Sequence, residues 1–360
     1  MMGSGTTLVT ARIRGYEAVG LDRDPLAVLI ASASIGDLDH DAFIAEAATV
    51  LAQARRLARR LTPEQCYPMD ADEETKRFLR KWFDIRARRE LTSLISALKR
   101  GHFATTPFLR CAISRMIITK QRGVSRAWDV SHSRPHIKYR VAPVSPFDFF
   151  LQNVAAICRH HNFKKRSGLP QGRVRSGDCR HLPFESASFD YIITSPPYLN
   201  AIDYLRGHKL SLVWFGYSVA HIRLLRSTNV GSECGIQDTG WDNTMVRLLS
   251  DCDRVSSRLL GMARRYACDL GKTMSEIRRV SKAGARITLV VGDSVVRGVE
   301  VHNSRAVEYV ARENNLELEL REVRPLPAHK RYLPPPGSST TLRQISRRMR
   351  NEVVLQFRAS

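Results

Sequence analysis

The chain has 360 residues, 43% of them hydrophobic and 26% charged, enough to bury the core of one large domain or two smaller ones. Its 57 Lys and Arg against 35 Asp and Glu leave a formal charge of +22. That excess favours a polyanion such as nucleic acid as partner, with mere solubility or an acidic protein partner as the bland alternative. No apolar run approaches the roughly 20 residues of a membrane span, the N-terminus lacks a signal-peptide layout, and seven cysteines stand singly without a C-x-x-C pair. A cytoplasmic protein with no disulfide framework and no metal is expected.

Along the chain, a Gly-rich turn opens a helix, and a strand over 17–21 ends in an acidic residue, as in half of a nucleotide-binding unit. Amphipathic helices are predicted over 41–60, 73–100, 107–120 and 146–160, interrupted by an extended basic stretch at 122–144. Strand patterns return at 172–176 and 189–194, then at 285–292, 316–323 and 352–357, alternating with helical stretches. The block from 198 to 279 is helical in character, with a loop rich in Gly, Ser and Asn at 227–243. The predicted architecture is α/β: a Rossmann-like sheet domain of residues 1–36 and 172–360, itself carrying a helical insertion at about 199–279, with a second, mostly helical insertion at 37–171. Such an interrupted layout suits a catalytic sheet with an accessory region that grips nucleic acid.

The turn Gly3-Ser4-Gly5-Thr6-Thr7 permits close backbone approach to a ligand, and the helix behind it offers free N–H groups. A phosphate-cradling loop would need a lysine that is absent, and a dinucleotide fingerprint would need a small residue where Leu8 stands. Asp22 lies where such folds place a carboxylate on ribose hydroxyls, the alternative being a solvated strand end. Asp24 competes for that role but precedes Pro25, which suits a helix N-cap. Asp178, just past the strand at 172–176, would border the same cleft and accept a hydrogen bond from an adenine amino group, unless it only bonds its own turn.

Ser195-Pro196-Pro197-Tyr198 directly follows the apolar strand at 189–194. Two prolines can neither continue a strand nor enter a helix, so the backbone leaves the sheet in a stiff extended turn. The Ser195 hydroxyl and the Pro196 carbonyl can then accept hydrogen bonds from an amino group, localising its lone pair for attack. The Tyr198 ring can stack on a base rotated out of a duplex.

The two segments together resemble the amino-methylating DNA methyltransferases of restriction and modification systems. In that family the cofactor motif reads D-P-F-x-G-S-G-T-T, matched in its second half by residues 2–7, and the catalytic motif reads S/D/N-P-P-Y/F/W, matched fully by residues 195–198. The resemblance covers roughly 2–36 and 172–215. It implies a methyltransferase sheet, S-adenosylmethionine held by Gly3, Ser4, Gly5, Thr6, Thr7, Asp22 and Asp178, and catalysis at Ser195, Pro196, Pro197 and Tyr198. Serine at the first catalytic position is associated with N4 of cytosine, Asp or Asn with N6 of adenine. Double-stranded DNA and a cognate restriction endonuclease are the implied partners, and 37–171 becomes a candidate DNA-recognition region. The D-P-F half of the cofactor motif is missing because the sequence begins inside it, so a truncated or split gene, complemented by a polypeptide that supplies the missing segment, is also expected. The alternatives are an N6-adenine enzyme, an RNA base amine methyltransferase and an inactive DNA-binding remnant.

Two basic clusters are candidate phosphate contacts or simply solvated charge. One comprises Lys120, Arg122, Arg126, Arg134, Lys138 and Arg140 with Lys164, Lys165 and Arg166; the other comprises Lys330, Arg331, Arg343, Arg347, Arg348 and Arg350. Trp82, Trp128, Trp214 and Trp241 read as core or cap residues, and Asp203 with Arg206 as an ion pair within a helix. Asn200 is a further candidate for holding the target base, and His160 and His161 are expected to serve their helix end electrostatically.

Overall fold

The computed structural model describes residues 1–120, 122–162, 168–197, 199, 203–230, 257–296, 299–326 and 351–360. In chain order these form α1 (Thr6–Ile13), β1 (Ala18–Asp22), α2 (Pro25–Ile35), α3 (His40–Ala58), α4 (Glu73–Trp82), α5 (Ile85–Arg100), α6 (Thr106–Ile117), β2 (Ala127–Trp128), β3 (His136–Ile137), α7 (Pro146–Asn162), β4 (Gly172–Ser176) and β5 (Phe189–Thr194). Then come α8 (Tyr204–Leu212), α9 (Val219–Ser227), α10 (Ser257–Val280), β6 (Ser281–Gly292), β7 (Ser294–Val296), β8 (Val299–Val301), α11 (Asn303–Glu313), β9 (Leu316–Pro325) and β10 (Asn351–Ala359). Among the described residues no helix is long and apolar enough to cross a membrane.

The architecture is α/β and Rossmann-like, with large helical insertions. β1 and β4 pair in parallel, Ala18 opposite Gly172 through Asp22 opposite Ser176. A four-stranded sheet runs β5-β6-β10-β9, parallel between β5 and β6 and antiparallel beyond. The edges of β1 and β5 away from these partners carry no strand among the described residues. Met1 and Met2 join the two sheets: the Met2 N–H donates to the Leu21 carbonyl (3.0 Å), and the Thr194 hydroxyl donates to the Met1 carbonyl (3.0 Å).

Two cores result. In one, alternate residues of β10 (Val353, Leu355, Phe357, Ala359) meet Ile287, Leu289 and Val291 of β6 beneath α10 and α11, the period of two that a half-buried strand requires. The other gathers α3, α5, α6 and α7 with α8 and α9. Trp214, just beyond α8, is fully buried and meets Phe83 edge to face at 5.2 Å. The helices that follow the Ser195 loop therefore pack with the insertion between β1 and β4.

Local signals explain most boundaries. Asp24 does cap α2, accepting from the Leu26 N–H (2.9 Å), with Pro25 in the first turn. The pattern over 73–100, read as one helix, folds as two. Phe83 takes an extended backbone, and Asp84 accepts from the Ala87 N–H (3.0 Å) to start α5. The other Asp84 oxygen accepts from the buried Ala142 N–H. Asp84→Ala should therefore cost about 2 kcal/mol in denaturant unfolding, from the lost cap and an orphaned N–H.

Candidate functional site

The glycine turn owes its shape to backbone that only glycine adopts readily. Gly3 and Gly5 have φ of 55° and 81°, and a Cβ on Gly5 would come within 2.9 Å of the Ala31 Cβ. Ser4, Thr6 and Thr7 are exposed at the start of α1, whose N-terminus carries no side-chain cap, so the first-turn N–H groups face outward for a ligand. Asp22 secures the turn: one carboxylate oxygen accepts from the Gly3 N–H (2.9 Å) and the other from the Asp24 N–H (3.0 Å). A carboxylate offers about four acceptor sites, so Asp22 keeps capacity for hydroxyl donors.

Asp178 lies beside it, since the Gly177 N–H donates to the Asp22 carbonyl (3.0 Å). Its carboxylate, however, is occupied. Arg23 donates at 2.8 Å, and Arg180 donates through its backbone N–H (3.0 Å), Nε (3.1 Å) and Nη2 (2.7 Å). An adenine amino group would need one guanidinium to withdraw. Arg180 also pairs with Asp269, and both arginines donate to the Thr228 carbonyl, which ties the end of α9 to this cluster. Burial pulls the Asp178 carboxyl upward, but the Arg180 hydrogen bonds and the Arg180 and Arg23 charges outweigh it and hold the group below its ordinary value.

At the end of β5, the Ser195 hydroxyl donates to the Val290 carbonyl on β6 (2.8 Å). Its proton is spoken for and its oxygen remains an acceptor on an exposed residue. Pro196 is buried, Pro197 half-buried, and the Leu199 N–H is held by the Asn303 side chain (2.9 Å). Through the Thr194 to Met1 bond, Ser195 stands next to a residue anchored two positions before Gly3. The structure thus gathers the turn, Asp22, Asp178 and the Ser195-Pro196-Pro197 exit at the ends of β1, β4 and β5. Tyr198, Asn200, Trp241, Lys164, Lys165, Arg166 and the entire second basic cluster lie outside the described residues.

Sequence reasoning missed Arg23, Arg180, Thr228 and Asn303. A signal existed for the arginines alone, each standing within two positions of a candidate acid. In the first basic cluster, Arg126 donates to the Tyr139 carbonyl (3.3 Å), and the Lys138 ammonium sits 3.3 Å over the Trp128 ring. Both therefore serve the β2-β3 hairpin. The expected Asp203–Arg206 pair is present at 3.8 Å, while Arg226 binds Asp203 more closely. His160 and His161 bond to the Ala156 and Gly36 carbonyls, and His161 meets Phe108 edge to face, contacts more specific than a charge at the helix end.

The folded Asp178 carboxyl lies below its ordinary value of 3.8, so its contribution to stability is complete above that value and declines as pH falls through the lower, folded one. Unfolding free energies from pH 5 to pH 2 should show less acid dependence in Asp178→Asn than in the wild type.

A scan against protein-family models found no match, and a search of curated proteins found none. Among solved structures, the chain is similar to a candidate DNA modification methylase of Thermus thermophilus crystallised with S-adenosyl-L-methionine, at 18% identity, 51% of each chain covered and a TM-score of 0.25. It is also similar to an S-adenosylmethionine-dependent methyltransferase of Methanosarcina mazei, at 13% identity over 57% of this chain and 77% of that one, TM-score 0.25. A third is the 4+2 cyclase SpnF, at 10% identity over 72% and 83%, TM-score 0.25. The chain spans about half the length of the Thermus protein. At these TM-scores the likenesses carry no argument, and the fold class rests on the strand order described above.

Proposed function

We propose that the chain is an S-adenosylmethionine-dependent methyltransferase acting on the exocyclic amino group of a DNA base, N4 of cytosine, at a specific site. The observation that carries this reading is the Ser195 hydroxyl, which donates into the sheet at the Val290 carbonyl and so presents only lone pairs outward. An incoming aromatic amine finds there an acceptor that cannot rotate its proton toward it. The Pro196 carbonyl, borne by a residue without an N–H, is the second acceptor. Two acceptors on the amine protons turn the nitrogen lone pair out of conjugation with the ring, and the stiff diproline exit fixes that geometry, so positioning supplies much of the rate. Tyr198 is assigned the stacking of the rotated base. Serine at position 195, by resemblance to the amino-methylating family, favours cytosine over adenine.

S-adenosylmethionine, when bound, supplies an electrophilic methyl group on a sulfonium. The residues present fit it: the side-chain-free turn at Gly3 and Gly5, with Ser4, Thr6 and Thr7 exposed beside it, the uncapped α1 N-terminus for its carboxylate, and the spare acceptors of Asp22 for ribose hydroxyls. Asp178 is assigned to the adenine side, on the condition that Arg23 or Arg180 releases one of its acceptor sites. The proposed partners are double-stranded DNA, gripped in part by residues 37–171, and an endonuclease of the same specificity. A further extended segment paired to the edges of β1 and β5 is a third, since among the described residues no strand pairs with either edge and Met1 already bridges them.

The direct test is to incubate the chain with S-adenosylmethionine and unmethylated DNA and to analyse the digested nucleosides by mass spectrometry. N4-methylcytosine is expected. N6-methyladenine would overturn the choice of base, methylation of RNA alone would overturn the DNA assignment, and DNA binding without methylation would indicate an inactive remnant. Ser195→Ala should lower turnover roughly a hundredfold with S-adenosylmethionine affinity little changed. Asp22→Ala should weaken that affinity about tenfold or more, measured by calorimetry.

A further inference from the structure

Away from this site, α4, α8 and α9 line a half-open cavity of about 340 Å³ whose walls hold Arg77, Lys81, Lys209, Arg223 and Arg226 with Glu74 as the one carboxylate. These cations come from three separate helices, so no charge run along a single exposed face accounts for their convergence. Arg223 is matched by Glu74, and Arg226 by Asp203. Arg77, Lys81 and Lys209 have no carboxylate partner within salt-bridge distance among the described residues. Lys209 rests its ammonium 4.8 Å from the Phe78 ring centroid, and Lys81 lies 5.6 Å from that of Trp82. Burial, with the charges of Arg226 and Arg223, lowers the Lys209 pKa against the pull of Asp203 and Glu74. A partly desolvated cation among like charges is the setting in which a bound anion gains most.

We propose that this cavity binds a phosphate group and, resting on the reading of DNA as substrate, that the group is a backbone phosphate of the target strand. α8 carries Lys209 and follows the Ser195 loop, and Asp203, which caps α8, is also the residue that holds Arg226 at the cavity wall. A phosphate bound here would register the strand on the same helices that continue from the catalytic turn, giving position and affinity without reading a base. The planar guanidinium of Arg77 suits a phosphate edge, with Lys81 and Lys209 adding point charges.

The test measures binding of a fluorescent DNA duplex to the full chain over a series of salt concentrations. Lys209→Met, which keeps an unbranched side chain without the charge, and Arg77→Ala should each weaken binding severalfold and lower the slope of log affinity against log salt by about 0.9. Arg312→Ala, an exposed cation at the end of α11 and outside residues 37–171, should not lower the slope. In parallel, inorganic phosphate is titrated against the melting temperature of wild type and Lys209→Met. If DNA fails to bind the wild type while phosphate stabilises it and not Lys209→Met, the cavity stands as a phosphate site and the DNA reading falls. If neither the salt slope nor the phosphate effect depends on Lys209 and Arg77, or if Arg312→Ala lowers the slope equally, the cavity proposal is overturned. The methylation assay at Ser195 is then unaffected.

Discussion

The chain between Thr194 and Asp203 must satisfy two separately packed cores. At its start the exposed Ser195 hydroxyl is bonded to β6, and Leu199, itself part of the sheet core, is held through its amide by Asn303 at the head of α11. At its end Asp203 caps α8 and binds Arg226, and the Ser133 hydroxyl bonds the Asp203 carbonyl and accepts from the Gly207 N–H. Gly207 comes so close to the β2-β3 region that a Cβ there would lie 2.5 Å from the Val130 carbonyl oxygen. α8 then enters the helical core, where Trp214 meets Phe83. A change in the packing of the helical insertion is therefore felt by the segment that presents the candidate acceptors.

Charge is distributed on the same plan. The chain carries +22, yet the two arginines at Asp178 are matched: Arg23 and Arg180 share its carboxylate, and Asp269 takes the remaining Arg180 nitrogen. A partly buried carboxylate is tolerable because its lone pairs are filled by charged donors. The pairing also fastens α9 through Thr228 to the end of β4. Around Lys209 the balance is different, with cations outnumbering carboxylates in a concave space. Matched cations hold the fold, whereas unmatched ones are at the disposal of a partner.

Local information in the chain was sufficient for β1, β4, β5, β6, β9 and β10, most of its helices and the Asp24 cap, but not for the short strands β2, β3, β7 and β8. Each legible feature depends on a handful of neighbouring residues: a period of two, a period near 3.6, or a side chain that caps its own helix. The break at Phe83 was not legible, because a strong amphipathic pattern ran through it and Asp84 had to find the Ala142 amide, far along the chain, to anchor its second oxygen. Nor could local pattern show that Arg23, far back in the chain, would share the Asp178 carboxylate with its near neighbour Arg180, that the Ser195 proton would be taken by Val290, or that Arg77 and Lys209 would face one cavity. Those outcomes join residues from distant parts of the chain, and only the packing of separate elements, which brings such groups within hydrogen-bond reach and excludes water between them, decides which charges are spent on the fold and which remain for a ligand.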